Sequence, residues 1–182
     1  MNSHAPNNKQ SYKLTLFEMT LFAMFGTIMF ISKIIMEFLP NVHLLSMFVM
    51  LLTIVYRFKA LVPIYIFVFL NGIYAGFNMW WIPYLYVWTV LWADTMLLPK
   101  NMPKTAQLIV FPLLCCAHGL LFGVLYAPAQ AFMFSLNFEQ TIAWVAAGFP
   151  FDIIHGISNF FVGMLIYPLS VLLKKLNSQF VK

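Results

Sequence analysis

Long apolar runs broken by short polar stretches dominate the chain. A membrane-spanning helix needs about 20 mostly apolar residues, within a range of roughly 17–25. On that criterion the pattern predicts six spans: about Leu16 to Met36, His43 to Tyr56, Ala60 to Gly76, Trp81 to Leu98, Thr105 to Tyr126 and Phe149 to Leu173. The second and third are short, because Arg57, Phe58 and Lys59 force a tight connection between them. Pro63, Pro83, Pro112 and Pro168 lie in or near spans, where neighbouring helices can re-satisfy the backbone groups that proline frees. The expected organisation is a polar disordered tail over 1–15, a six-helix membrane domain over 16–176 and a short tail over 177–182. The first apolar run lacks a small-residue cleavage site, so it is expected to be retained. The Ala127–Val145 segment is too apolar for a solvated loop and reads either as a lid or interfacial helix, or as a loop resting on headgroups.

Composition agrees with the pattern. Of the 182 residues, 63% are hydrophobic and 8% charged, against about 25% charged in soluble domains. A soluble enzyme, a disordered region and a nucleic-acid module are excluded. The net charge of +5 does not alter this, since the basic residues lie between apolar blocks instead of on one basic face. Cys115 and Cys116 are adjacent within an apolar run, so they form neither a disulfide framework nor a zinc site.

Charge placement predicts an orientation. Lys9 and Lys13, Arg57 and Lys59, Lys100 and Lys104, and Lys174, Lys175 and Lys182 account for nine of the ten Lys and Arg residues. With six spans all fall on one side, and Lys33 alone lies toward the other. The positive-inside rule then makes both termini cytoplasmic.

Polar residues inside spans are costly unless they face a cavity or a partner. Asp152, His155 and Asn159 are spaced i, i+3 and i+7, on one face of a helix. Two readings are open: a ligand site facing outward, or an Asp–His pair that holds two helices together. Asn71, Tyr74 and Asn78 repeat the spacing in the third span. Trp80, Trp81, Tyr84, Tyr86 and Trp88 crowd the start of the fourth, either as an interfacial belt or as an aromatic wall for a flat ligand. Asn41 and His43 stand at the outer end of the second span, where His43 by itself reads as a loop histidine, and His118 reads as a satisfied core histidine. Asp94 has Lys100 and Lys104 within reach, and Lys33 and Glu37 are four apart on one helix. No phosphate-cradling Gly-x-x-x-x-Gly-Lys loop, His-Glu-x-x-His or Gly-x-Ser-x-Gly is present. A membrane enzyme would need Asp152 and His155 joined by His43 and His118 around a metal.

The Leu39–Leu44 segment and the Pro150–Gly156 segment resemble those of the substrate-binding membrane subunits, or S-components, of energy-coupling factor vitamin transporters, nearest to the cobalamin-specific branch. The resemblance implies six spans, both ends inside, and capture of a vitamin at the outer face as transported substrate, not cofactor. It implies a coupling subunit and two ATPase subunits as partners within the lipid membrane, with no catalysis by this chain and no nucleic acid. The polar stripe of the sixth span, the His43 loop and the outer ends of the third and fourth spans give the expected substrate-binding residues: Asn41, His43, Tyr74, Asn78, Trp80, Trp81, Tyr84, Asp152, His155 and Asn159. Folate, riboflavin, a thiamin precursor and pantothenate are the alternative ligands. The family's Ala-x-x-x-Ala contact with the coupling subunit corresponds here to Ala23 and Thr27, with Gly26 beside them. The nickel and cobalt branch carries a metal-binding His after the initiator Met. Asn2 stands there, which argues against metal-ion uptake.

Overall fold

Thr15 and Glu18 start the first helix with a reciprocal cap. The Glu18 amide donates to Thr15 Oγ1 at 3.1 Å, and the Thr15 amide donates to Glu18 Oε2 at 3.0 Å. The computed structural model describes residues 14–180. Lys9, Lys13 and Lys182, and most of the expected amino-terminal tail, lie outside that range.

The described chain is all-helical. Helix α1 spans Leu16–Ile35, α2 Leu45–Tyr56, α3 Leu61–Ala75, α4 Tyr84–Leu97, α5 Lys104–Leu120, α6 Phe122–Phe134, α7 Phe138–Gly163 and α8 Ile166–Phe180. Short 3-10 turns at Arg57–Ala60 and Met79–Trp81 precede α3 and α4. Arg57, at φ 55°, ends α2 by leaving helical backbone.

Four stretches are long and apolar enough to cross a membrane: Leu16–Ile35, Leu45–Ala75, Lys104–Phe134 and Phe138–Gly163. Helices α4 and α8, of 14 and 15 residues, are shorter than a full span. Apolar side chains such as Ile28, Phe69, Leu113, Ile157 and Phe161 face outward from these helices. A surface this apolar belongs in lipid, so the protein is an all-α membrane protein.

Several boundaries differ from the sequence reading: the expected fifth span breaks at Leu121, and the expected sixth span breaks after Gly163, with α8 starting at Ile166. The sixth span was expected to begin near Phe149, but α7 begins at Phe138. Asn137 and Gln140 form a second capping box there: the Gln140 amide donates to Asn137 Oδ1 at 2.9 Å. The Ala127–Val145 segment is therefore a helical hairpin. Helix α6 runs on to Phe134, Ser135 turns the chain at φ 53°, and α7 returns. At the carboxyl end α8 continues through 177–180, where a tail was expected.

Helix α2 is the centre. Nine of its twelve residues are buried, and it packs against α1, α4, α5, α7 and α8. An all-round apolar helix of this kind is a core helix. Helix α1 packs mainly on α3, and α5 on α7. Lys33 stands in the last turn of α1, whereas Arg57, Lys59, Lys100, Lys104 and Lys174 collect at the other end of the bundle. Lys59 Nζ meets Glu18 Oε1 at 2.6 Å, Arg57 Nη2 donates to Met96 O at 3.0 Å, and Lys104 lies 5.9 Å above the Tyr167 ring. The start of α1, the α2–α3 turn, the end of α4 and the start of α5 thus share that end. His43, Trp80, Tyr126 and Phe151 mark the opposite one.

Candidate functional site

The turn after α1 is held down on α7 by polar contacts. Asn41, at φ 58°, donates from Nδ2 to Phe151 O at 3.4 Å, and its own carbonyl accepts from Ser158 Oγ at 3.1 Å. This pins the Leu39–His43 segment over a cavity of about 170 Å³. The segment itself, Lys33 and Glu37 at the end of α1, Tyr84 of α4, Phe122 of α6 and His155 of α7 line the cavity.

Aromatic rings set its shape. His43 and His155 meet edge to face at 4.6 Å between centroids, and His155 meets Phe122 at 4.9 Å. Tyr84 stacks parallel on Trp88 at 5.8 Å, and Trp88 stands 5.9 Å from His43. His43 Nδ1, His155 Nε2 and Trp88 Nε1 are buried and have no hydrogen-bond partner in the protein. Buried polar groups are nearly always satisfied, so these three nitrogens are exceptions, and two of them belong to residues that line the cavity. Lys33 and Glu37 bring opposite charges to the rim and form no ion pair with each other. The arrangement can bind a small molecule with a flat, hydrogen-bonding portion.

Only part of the sequence-predicted set meets here. Asn41, His43, Tyr84 and His155 line the cavity. Trp80 supports it from behind, packing on Tyr84 at 5.6 Å and accepting from the Tyr126 hydroxyl through its carbonyl. Trp81 donates from Nε1 to Val68 O at 2.8 Å and packs on Phe77. Tyr74 is exposed against Phe30, and Asn78 is exposed in the α3–α4 connection. Neither lines the cavity.

Two members of the α7 stripe serve other contacts. Asp152 is 7% exposed and accepts from the Gly123 amide at 3.1 Å. That amide is one of the free donors of the first turn of α6, and the carboxylate also meets the positive end of the helix dipole. Asn159 donates to Ser46 Oγ at 3.0 Å and to Cys115 O at 3.2 Å, which ties α7 to α2 and α5. His118 interacts through Nε2 with Val87 O at 3.2 Å. Of the four donors that a metal enzyme would need, His43 and His155 are in ring contact, whereas Asp152 bonds Gly123 and His118 contacts Val87 O. Among the described residues no group of three or more His, Cys, Asp or Glu side chains is arranged to hold a metal.

Phe122 was missed by the sequence reading. Only the break at Leu121, between α5 and α6, turns its ring into the cavity, and nothing in the apolar run around it signals that break. Gly26 also differs in role. It is buried, and a Cβ there would come 2.5 Å from Ile66 Cγ2 and 3.0 Å from Pro63 O of α3. Its small size serves the α1–α3 contact within the chain. Ala23 and Thr27 remain on the exposed face of α1, with Thr27 Oγ1 donating to Ala23 O at 2.9 Å.

Comparison with protein-family models, curated proteins and solved structures finds no match.

Proposed function

We propose that this protein is the substrate-binding membrane subunit of an energy-coupling factor type importer, capturing a vitamin at the end of the bundle opposite its basic end. One observation carries the reading: the cavity beneath the Leu39–His43 segment, lined by His43 and His155 among aromatic rings, with one buried ring nitrogen of each left without a partner in the protein. Six passes with both termini cytoplasmic belong to the same proposal, supported by the gathering of Arg57, Lys59, Lys100, Lys104 and Lys174 away from that cavity. The chain carries no phosphate-binding loop, so ATP hydrolysis falls to partner subunits, and a coupling subunit joins them to this one.

The cavity volume bears on the ligand. Drug-sized molecules occupy pockets of about 300–1,000 Å³, and this one measures about 170 Å³. The ring system of a small vitamin suits the closed form. Cobalamin, the ligand named by the resemblance, requires the Leu39–His43 segment to lift from α7.

Equilibrium binding of cobalamin, folate, riboflavin, thiamin and pantothenate to the detergent-purified chain tests the proposal. Tight binding of one of them is the expected result. Binding of none, with an unchanged melting temperature, overturns it.

A further inference from the structure

A second cavity, of about 260 Å³, opens at the basic end, remote from the histidine cavity. Three cations from three separate elements line it: Arg57 after α2, Lys100 between α4 and α5, and Lys174 of α8. No acidic residue lines it. Among the described residues, Lys59–Glu18 is the only ion pair, so Lys100 and Lys174 have no carboxylate partner there. Arg57 Nη2 is anchored on Met96 O at 3.0 Å, which fixes the guanidinium at the wall. A guanidinium has five N–H donors, so others remain for a guest. Thr95 and Gln107 add polar side chains to the lining, and Ile54, Met102 and Phe111 add apolar ones.

A separate apolar groove between α4 and α5 adjoins the cavity. Leu98 belongs to both. Beyond it the groove is formed by Leu97 of α4 and by Val110, Leu113, Leu114 and Ala117 of α5, with Asp94 on its α4 side. The α5 residues follow i, i+3, i+4 and i+7, one continuous face. From Val110 to Ala117 that face rises about 10 Å along the helix, enough for roughly eight methylene groups. Leu97 and Leu113 are 83% and 52% exposed, so the groove is open to the bilayer.

We propose that this site binds an anionic phospholipid, with its phosphate headgroup held by Arg57, Lys100 and Lys174 and one acyl chain along the α4–α5 groove. The juxtaposition distinguishes a lipid from a free anion. A soluble phosphate uses the cations alone, whereas the adjoining apolar face adds affinity only for a molecule that carries a chain. Basic pockets between membrane helices recognise anionic headgroups in this way. A bound lipid would bridge the α2–α3 turn, the α4–α5 loop and α8.

The test is native mass spectrometry and thermal unfolding of the full chain in detergent, with phosphatidylglycerol and phosphatidylcholine of identical acyl chains as probes. Phosphatidylglycerol should be retained more strongly and should raise the melting temperature. The doubly substituted K100Q/K174Q chain should bind it roughly 30-fold more weakly, two cations being lost near the headgroup. Ala117→Trp, which fills the groove while leaving the cations in place, should also weaken retention. Equal retention of the two lipids, or an unchanged affinity in a folded K100Q/K174Q chain, overturns the proposal. So does inorganic phosphate alone matching the stabilisation by phosphatidylglycerol, since that assigns the cavity to a small anion.

Discussion

Residues on one helical stripe of α7 divide between binding and architecture. His155 lines the cavity and has one buried ring nitrogen without a partner, while Asp152 caps α6 through Gly123. Their substitutions should therefore separate. Removing one buried hydrogen-bond partner costs about 1–3 kcal/mol. His155→Ala and His43→Ala should weaken vitamin binding by roughly 5- to 150-fold, measured as dissociation constants by titration calorimetry. Asp152→Ala leaves the Gly123 amide of α6 unsatisfied. It should destabilise the fold by about 1–3 kcal/mol, seen in detergent unfolding, and shift the dissociation constant less than His155→Ala does. Asp152→Asn keeps an acceptor oxygen and should retain most of the stability. Equal effects of Asp152→Ala and His155→Ala on binding would contradict this division.

Elements impose a second separation, along α1. Gly26 touches Ile66 and Pro63 of α3, so a larger side chain must push two helices apart. Overpacking of this kind costs typically about 1–3 kcal/mol. Gly26→Leu should lower the melting temperature of the isolated chain. Ala23 lies on the open face of the same helix. Small residues four apart permit close helix approach, and Ala23 with Thr27 supplies that spacing toward a partner. Ala23→Leu should leave melting and vitamin binding unchanged and reduce uptake when coupling and ATPase subunits are present. Unchanged uptake in that variant would remove Ala23 from the partner contact. The spacing of these residues was legible in the chain. Which of them α3 covers was not, because one turn of α1 carries both faces and only the neighbouring helix distinguishes them.

At the scale of the whole molecule, charge and lipid decide orientation together. Apart from Lys33 at the rim of the histidine cavity, Arg57, Lys59, Lys100, Lys104 and Lys174 gather at the end of the bundle opposite that cavity. Moving Lys or Arg across the membrane is opposed during insertion, so reporters fused before residue 14 and after Lys182 should both register in the cytoplasm. A reporter outside at either position contradicts the six-pass proposal.

Apolar run lengths and the low charge content were sufficient by themselves for an all-helical membrane protein, because hydrocarbon admits only helices or closed barrels as spanning structures. Individual side chains were also legible where their chemistry is costly in that solvent: His155 stood out on its stripe, and His43, which reads by itself as a loop histidine, meets it at 4.6 Å. The chain pattern was weaker where the helices are uniformly apolar. It did not disclose the Leu121 break that brings Phe122 to the cavity, or the second capping box at Asn137 that turns an expected loop into α7. Nor did it divide Asp152 and Asn159 from His155, since spacing along a helix specifies a shared stripe but not the neighbour at each level. That assignment belongs to tertiary packing. Gly123 comes near enough to bond Asp152, Ser46 and Cys115 occupy Asn159, and His155 alone of the three is left facing the cavity. The physical reason is that transfer into lipid is a property of each segment, whereas the satisfaction of a buried polar group depends on which other segment approaches it.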